Sequence, residues 1–599
     1  MSHDVVIGID LGTSNSTLSF ARVDDDAPPS TFEIPQVIVP GEIAARDRFP
    51  SMLYAPTTAE ATATAFSLPY AARTDGDTSP VVGLFAERRA AEAPGRVVSS
   101  SKSWLCHAGV DRRAAILPLD APDDVKKCSP VDAARVILRA LTDAFDAAHP
   151  STRAAEADVV VTVPASFDAI ARDLTVEAAR AAGLAHVTLL EEPQAAFYAW
   201  LAAQGDAWRA ALSPGDRVLV VDIGGGTTDF SLIAVKDDDG TLTLERISTG
   251  EHILLGGDNM DLALAWRVKA RLEAAGKTID DWQLRGLTHA CRAAKEALLV
   301  DETIATAPVA VPSRGSKLIG GTLRADLTRA DVDEVLVDGF FPRVPADARP
   351  LTRRRAALTT IGLPYAQDAA ITKHLAAFLA DAPKDDDGAP RAPTKLLLNG
   401  GVTRSPVLVA RLIEVLSAWA RTTGATPPVV LTGGDPDRAV SRGAAHFARV
   451  RRGKGIRIKS GLARSYYVGI ERAELAVPGM PPRVDAVCIA PRGMEEGATC
   501  ELSTELGLFV GDVASFRVFT SSRDDALAAV VDPSGLDELA PIERALELAG
   551  TPKDTIVPVK LGATVTATGT LEIAARHPTT DTRWRFEFSV REAGSSTRA

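Results

Sequence analysis

Cysteine is scarce and scattered, with five residues in a chain of 599. Cys106, Cys128 and Cys291 stand apart without metal-ligand spacing, so neither a disulfide framework nor a zinc site is expected. Cys488 and Cys500 fall in a β-rich stretch and read as two buried thiols. The adjacent pair Cys106 and His107 has no second pair nearby to complete a tetrahedral site. A basic excess is missing too. The formal net charge is −12, which argues against nucleic acid or an anionic membrane as a partner, because both need a positive footprint. No apolar run approaches the length of a bilayer. The N-terminus lacks the order of a secretory leader before the first expected strand at Val5. The expected location is cytoplasmic. The Gly-x-x-x-x-Gly-Lys-Ser/Thr loop of P-loop enzymes is also absent.

What is present is an ordinary globular composition, 46% hydrophobic and 24% charged, in a chain long enough for about two to four domains. One strand–loop–strand unit occurs twice. Val6-Ile-Gly-Ile-Asp10-Leu-Gly12-Thr13-Ser14 returns as Leu219-Val-Val-Asp222-Ile-Gly224-Gly225-Gly226-Thr227, and the two aspartates lie 212 positions apart. A β-leaning run follows each copy, Ser16 to Phe20 and Asp229 to Ala234. Repeats so far apart predict a duplicated domain rather than a solenoid.

Strands alternate with helices between and after the copies. Strands are expected at Asp158–Val163, Val187–Leu190 and Lys395–Leu398. Helices are expected over Phe167–Ala182, stopped by Gly183, then Ala195–Ala203 and about Ser405–Ala420. That alternation predicts doubly wound α/β sheets. Arg451 to Ser460 is basic and broken by glycines; it reads equally as a linker or as a loop or edge strand of the preceding domain. From Tyr466 the runs are short and alternating: Tyr466–Ile470, Ala498–Ser503, Val513–Phe519, Thr555–Val559, Thr564–Ala574 and Arg583–Val590. These predict an all-β sandwich. The division expected is an α/β domain over 1–452, a linker at 453–463, the sandwich at 464–592 and a disordered tail at 593–599.

An aspartate that ends a strand before a glycine turn has a chemical use. Glycines let backbone N–H groups approach a phosphate closely, and the carboxylate beside them can hold hydrated Mg²⁺. Two such loops facing each other across a cleft would grip the phosphates of a nucleotide from both sides. Hydroxyls of Thr13, Ser14 and Thr227 would add donors. Phosphoryl transfer depends chiefly on positioning and charge neutralisation.

The motifs resemble, in order, those of the seventy-kilodalton heat-shock chaperones across about the first 450 residues. Gly8-Ile-Asp10-Leu-Gly12-Thr13-Ser14-Asn15-Ser16 is similar to the first phosphate motif, and Asp222 to Asp229 to the second. Val163-Pro164-Ala-Ser-Phe with Arg172, then Glu192-Pro193-Gln-Ala-Ala, resembles the first connecting segment. Leu255-Gly256-Gly257-Asp258-Asn259-Met-Asp261 resembles the segment after the second loop. Asn399-Gly400-Gly401-Val-Thr403-Arg404 is similar to the adenosine motif, and Asp435-Pro436-Asp437 with Gly443 to the closing segment.

The resemblance implies a duplicated, actin-like (ribonuclease H-like) two-lobed α/β domain followed by a β-sandwich. It implies a Mg²⁺-dependent ATPase with ATP or ADP as ligand. Asp10 and Asp222 would hold the metal through water, with Glu192 and Asp229 orienting those waters. Lys102 would touch the γ-phosphate and the attacking water, with Thr227 also in the catalytic set. Gly12, Thr13, Ser14, Gly224, Gly225, Gly226, Gly256, Gly257, Lys295, Gly400, Gly401, Arg404 and Asp437 would bind nucleotide. Pro164 and Arg172 would relay nucleotide state between domains. The partners implied are client polypeptides, a J-domain co-chaperone and a nucleotide exchange factor, with the protein itself a monomer.

The chain also departs from the pattern. Glu296 stands where many relatives have arginine and Leu299 where serine is usual, although Arg404 offers a guanidinium face to the base. A stretch at about 342–393 enlarges the second lobe; Ile371–Leu379 within it looks helical and Asp385-Asp-Asp-Gly388 looks like a solvated loop. Tyr467-Val-Gly-Ile470, Gly569-Thr-Leu571-Glu-Ile573 and Trp584–Val590 resemble strands of the peptide-binding sandwich. The acidic, leucine-rich linker of the family is replaced by the basic stretch Gly453–Ser460, and the helical lid is not expected after Val590. A groove for extended clients and a sandwich that serves only for docking both fit this half. An actin-fold sugar kinase, a nucleotide-sensing module without turnover and a filament former are the rival readings.

Overall fold

The computed structural model describes residues 4–588 except 108, 239–240, 251–252, 302, 313–321, 352–362, 383–391, 455–457, 460–461, 463, 473, 476–481, 495–497, 512, 522, 524, 540, 547–551, 553–554, 566–570 and 581. The chain divides into two compact units, residues 1–167 with 174–457, and residues 168–173 with 458–599.

The first unit is built on two sheets of the same design. In one, the strand order is Val187–Glu191, Asp158–Val163, Val5–Asp10, Asn15–Arg22 and Ser30–Thr31. In the other it is Val429–Val430, Lys395–Asn399, Arg217–Ile223, Thr228–Asp238 and Thr241–Thr249. Each has a central strand, Val5–Asp10 or Arg217–Ile223. Its antiparallel neighbour follows it in the chain, and its parallel neighbour comes much later. The repeat seen in the sequence therefore extends to the strand order. Val6, Ile7 and Ile9, like Val218 to Val221, are fully buried, as expected of strands covered on both faces.

Helices cover these sheets at close range. On the first strand, a Cβ at Gly8 would sit 2.2 Å from the Ser441 carbonyl oxygen in helix Ala439–Arg451. A Cβ at Gly443, in the same helix, would sit 1.7 Å from the Ala195 carbonyl oxygen in helix Glu192–Gln204. Only glycine permits either approach. Gly183, just past helix Ala169–Ala181, takes the left-handed φ of +103° that its role as a stop requires.

Within 342–393, helix Ile371–Asp381 buries Ile371, Leu375 and Phe378 in the core of the second sheet. Phe378 stacks on Phe230 of strand Thr228–Asp238, ring centroids 5.7 Å apart. This part of the enlargement is structural core rather than surface loop. The loop expected at Asp385 to Gly388 lies outside the described residues.

The second unit is antiparallel β. One sheet has the order Val530–Val531, Val484–Ala490, Ser465–Glu471, Val518–Ser521 and Asp537–Glu538. Another has Thr499–Val510, Thr555–Val565, Leu571–Arg576 and Arg583–Phe588. Tyr466 and Val468 of the first share one apolar core with Leu508, Val559 and Ile573 of the second, the arrangement of a sandwich. Two expected strands are divided. Val565 and Leu571 are cross-strand partners, so Thr564–Ala574 spans two antiparallel strands. Val513–Phe516 pairs with Ile542–Ala545 while Val518–Ser521 pairs with Ser465–Glu471, so the run to Phe519 serves two sheets. Cys488 and Cys500 are free thiols. Most of the expected linker, 453–463, and all of the tail, 593–599, lie outside the described residues. Among the described residues no helix is long and apolar enough to cross a membrane.

Candidate nucleotide site

Strands Val5–Asp10 and Arg217–Ile223, which carry Asp10 and Asp222 at their C-terminal ends, deliver their loops to one cleft of the first unit, about 680 Å³ in volume. Asp10 and Asp222 occupy equivalent registers. Asp10 lies opposite Thr17 and Thr162, and Asp222 opposite Asp229 and Asn399. The neighbouring strands hold the two carboxylates in the same way. Thr162 Oγ1 donates to Asp10 Oδ1 at 3.3 Å, and Asn399 Nδ2 donates to Asp222 Oδ2 at 2.6 Å.

The loops beyond these strands face each other. A Cβ at Gly225 would fall 2.2 Å from Ser14 Oγ, and one at Gly226 would fall 2.8 Å from Thr13 Cγ2. The second loop is closed by the Gly224 N–H donating to the Thr227 carbonyl at 2.9 Å. It is braced from behind by Gly257 and Asp258, whose N–H groups donate to Gly224 and Gly225 carbonyls at 3.0 and 2.7 Å. Gly256 fits there because its Cβ would lie 2.6 Å from those same two oxygens. Gly400, at φ +83°, turns the chain beside Asp222, where a Cβ would lie 2.6 Å from the carboxylate.

Lys102 is in the short helix Ser101–Leu105, which starts after Ser100 in the left-handed conformation at φ 54°. Such a conformation is costly for a residue other than glycine. The Lys102 ammonium forms a buried ion pair with Glu192, which opens helix Glu192–Gln204. Burial works against the charge of Lys102, but the carboxylates of Glu192, Asp10 and Asp229 outweigh it and raise its pKa. Burial, only partly offset by Lys102, pushes Glu192 up to about 8. Burial likewise pushes Asp222 up to about 7 against the hydrogen bond from Asn399, and raises Asp10. Glu192, Asp10, Asp222 and Asp229 thus share the ammonium of Lys102, and a bound cation would bring down the raised pKa of Glu192, Asp10 and Asp222.

A second charged group flanks the loops. Helix Asp281–Val300 opens with a capping box in which Asp280 Oδ1 accepts from the Gln283 N–H at 2.7 Å. It presents Arg292 and Lys295 to helix Gly257–Ala274. There Lys295 Nζ meets Asp261 Oδ1 at 2.6 Å, and Arg292 Nε donates to Asp261 Oδ2 at 2.8 Å and pairs with Asp258. Glu296 and Leu299, one turn on, line the cleft with Val402. Arg404 donates to Asp437 at 2.7 Å on the rim.

Of the residues expected at the site, Asp10, Gly12, Thr13, Ser14, Lys102, Glu192, Asp222, Gly224, Gly225, Gly226, Thr227, Gly257, Lys295, Gly400, Gly401, Arg404 and Asp437 line this one cleft. Gly256 lies behind the second loop. Asp229 is buried and accepts from Ser166 Oγ at 3.0 Å. Pro164 follows strand Asp158–Val163 and Arg172 lies in helix Ala169–Ala181; neither is among the residues that line the cleft. Spacing alone left Asn399, Thr162 and Arg292 without a role. The signal for Arg292 was readable, since Asp258 with Asp261 and Arg292 with Lys295 are two oppositely charged pairs, each three residues apart.

The arrangement fits a nucleotide with Mg²⁺. The glycine cradle leaves no room for side chains where phosphates would lie, and Asn15 Oδ1 and Asn399 Oδ1 are buried acceptors without a partner. Among the described residues no three acidic, histidine or cysteine side chains converge to coordinate an ion directly. The carboxylates of Asp10 and Asp222, which both line the cleft, suit an ion that keeps its waters, as Mg²⁺ does.

Comparison with known proteins agrees with this chemistry. The model of the Hsp70 protein family matches residues 111–349. The chaperone protein HscA homolog of Bordetella petrii is 30% identical over 462 residues, 75% of this chain and 58% of that protein. That of Chromobacterium violaceum is 30% identical over 464 residues, covering 75% and 59%. The chaperone protein HscA of Pectobacterium carotovorum is 28% identical over 456 residues, covering 74% and 57%. The chain spans somewhat under three fifths of the length of these curated relatives.

Proposed function

Since the chain belongs to the Hsp70 family, we propose that it is a chaperone whose first unit, an actin-like domain, binds and hydrolyses ATP. The observation that carries this reading is the meeting of the two repeated Asp–Gly loops in one cleft with Lys102 and Glu192 between them. Residues 12–14 and 224–227 would hold the phosphates from opposite sides. Asp10 and Asp222 would hold Mg²⁺ through its waters, with Glu192 and Asp229 as further acceptors. The bound metal would neutralise charge on the phosphate oxygens.

Lys102, kept protonated by the carboxylates around it, would present a fixed positive charge to the γ-phosphate and orient the attacking water. Thr227 would add a hydroxyl to the same oxygens. The base would rest between the Lys295–Leu299 face and Gly400–Arg404, with an apolar wall from Leu299 and Val402. Pro164 and Arg172 are the residues we assign to the relay of nucleotide state. The sandwich of the second unit would hold client polypeptides, and a J-domain co-chaperone and an exchange factor would be its working partners. HscA proteins are chaperones by name, which supports this class of client.

The test is single-turnover ATP hydrolysis with and without an unfolded apolar peptide, with Lys102→Ala as control. Turnover that the peptide accelerates supports a working chaperone. Lys102-dependent turnover indifferent to peptide keeps the ATPase and points to a dedicated partner. Tight ATP binding without any turnover overturns the ATPase assignment.

A further inference from the structure

Immediately before Glu192 stands Glu191, the last residue of strand Val187–Glu191 in the first sheet. It is the N-cap residue of helix Glu192–Gln204, yet its side chain makes no capping hydrogen bond. Its carboxylate is instead paired with the guanidinium of Arg246, in strand Thr241–Thr249 of the second sheet. The side chains are 3% and 18% exposed, so the pair sits largely out of water. A carboxylate buried to this degree is tolerable only beside a partner of opposite charge.

The second sheet is shaped to supply that partner. Leu232 pairs with Ser248 and Ile233 with Arg246, which leaves Ile247 as the extra residue of a β-bulge. A bulge alters where the neighbouring side chains point. An Arg246 side chain re-aimed in this way meets a strand of the other half of the duplicated domain.

We propose that the Glu191–Arg246 pair is a latch between the two halves that positions Glu192 for turnover. Glu192 follows the latch by one peptide bond and opens a helix whose first two turns pack tightly against Gly443. Its carboxylate must meet Lys102 from the first half and face Asp222 and Asp229 from the second. The planar guanidinium of Arg246 presents donors in fixed directions and can set angle as well as distance between the halves at this point, whereas lysine offers a point charge. Glu191 and Arg246 are absent from the cleft lining and touch no reacting atom. They are positioning residues, and the inference rests on the ATPase reading above.

The full-length chain is compared with Arg246→Lys and with the double variant Glu191→Gln, Arg246→Met, which leaves no unpaired buried charge. Two readouts are taken. The first is single-turnover hydrolysis with ATP affinity measured in parallel. Misplacement of a group in the site lowers kcat roughly ten- to a hundredfold while ground-state binding by the loops persists. The expected result is that loss in the double variant with unchanged ATP affinity, and a smaller loss for Arg246→Lys. The second is hydrogen exchange in the first turn of helix Glu192–Gln204, expected to quicken in both variants. Wild-type turnover in the double variant, or unchanged exchange in that turn, overturns the latch. If the wild-type chain itself shows no turnover, the ATPase reading fails, and the exchange measurement alone still decides whether the latch exists.

Discussion

The Lys102 ammonium and the Glu192 carboxylate form a buried ion pair, the lysine from a short helix of the first half and the glutamate from the start of a long one. Around them stand Asp10, Asp222 and Asp229. Lys102→Ala is expected to leave ATP affinity within a few-fold of wild type, since the glycine loops remain. Hydrolysis should fall about 10²- to 10³-fold, the usual cost of removing one preorganised charge from a phosphoryl or oxyanion site. Equilibrium binding and single-turnover rates check both parts, and unchanged turnover would remove Lys102 from the mechanism.

Asp222→Asn sets an amide against the Asn399 amide that now donates to the carboxylate. Asp10→Asn removes the matching charge of the first loop. Each is expected to raise the Mg²⁺ concentration needed for half-maximal ATP binding or turnover by about tenfold or more, through loss of one of the carboxylates that hold the hydrated ion. A Mg²⁺ titration identical to that of the wild type would count against the role.

The nucleotide-free protein should lose stability as pH rises. Burial holds Glu192 at about 8 and Asp222 at about 7, well above ordinary carboxylates. In the unfolded chain these groups have lost their protons by mildly acidic pH. The folded state therefore binds more protons between the ordinary carboxylate range and about 8, and its stability falls across that window as pH increases. Thermal melts without Mg²⁺ should show the slope, and Glu192→Gln should flatten it. Equal slopes in the two proteins would defeat the prediction.

Two glycine substitutions separate binding from folding. Gly225→Ala places a methyl 2.2 Å from Ser14 Oγ and should weaken ATP binding strongly with little change in melting temperature. Gly443→Ala drives a methyl to 1.7 Å from a backbone oxygen of the neighbouring helix and should destabilise the fold by about 3 kcal/mol. Denaturant melts and nucleotide titrations on both proteins test the contrast.

The duplicated strands were readable because strands buried on both faces are written as unbroken apolar runs, and Val218 to Val221 are such a run. The loops were readable because the same turn of aspartate and glycine follows a matching apolar strand twice; one copy alone could end any strand. What the sequence concealed lies in pairs brought together only by the sheets. Asn399 meets Asp222 across 177 positions, and Arg246 meets Glu191 across 55. No local period marks such partners. The β unit misled differently. Thr564 to Ala574 keeps strand-forming residues almost throughout, so propensity does not reveal that Val565 and Leu571 face each other in opposite directions.

Helix Ala439–Arg451 lies against the strand with which the chain opens, close enough that Gly8 has no room for a side chain. During synthesis that strand leaves the ribosome more than four hundred residues before its cover. Until then the face that this helix later covers is exposed, and such a surface is prone to aggregate. The order of synthesis thus leaves the nascent chain with an uncovered apolar face for more than four hundred residues of translation.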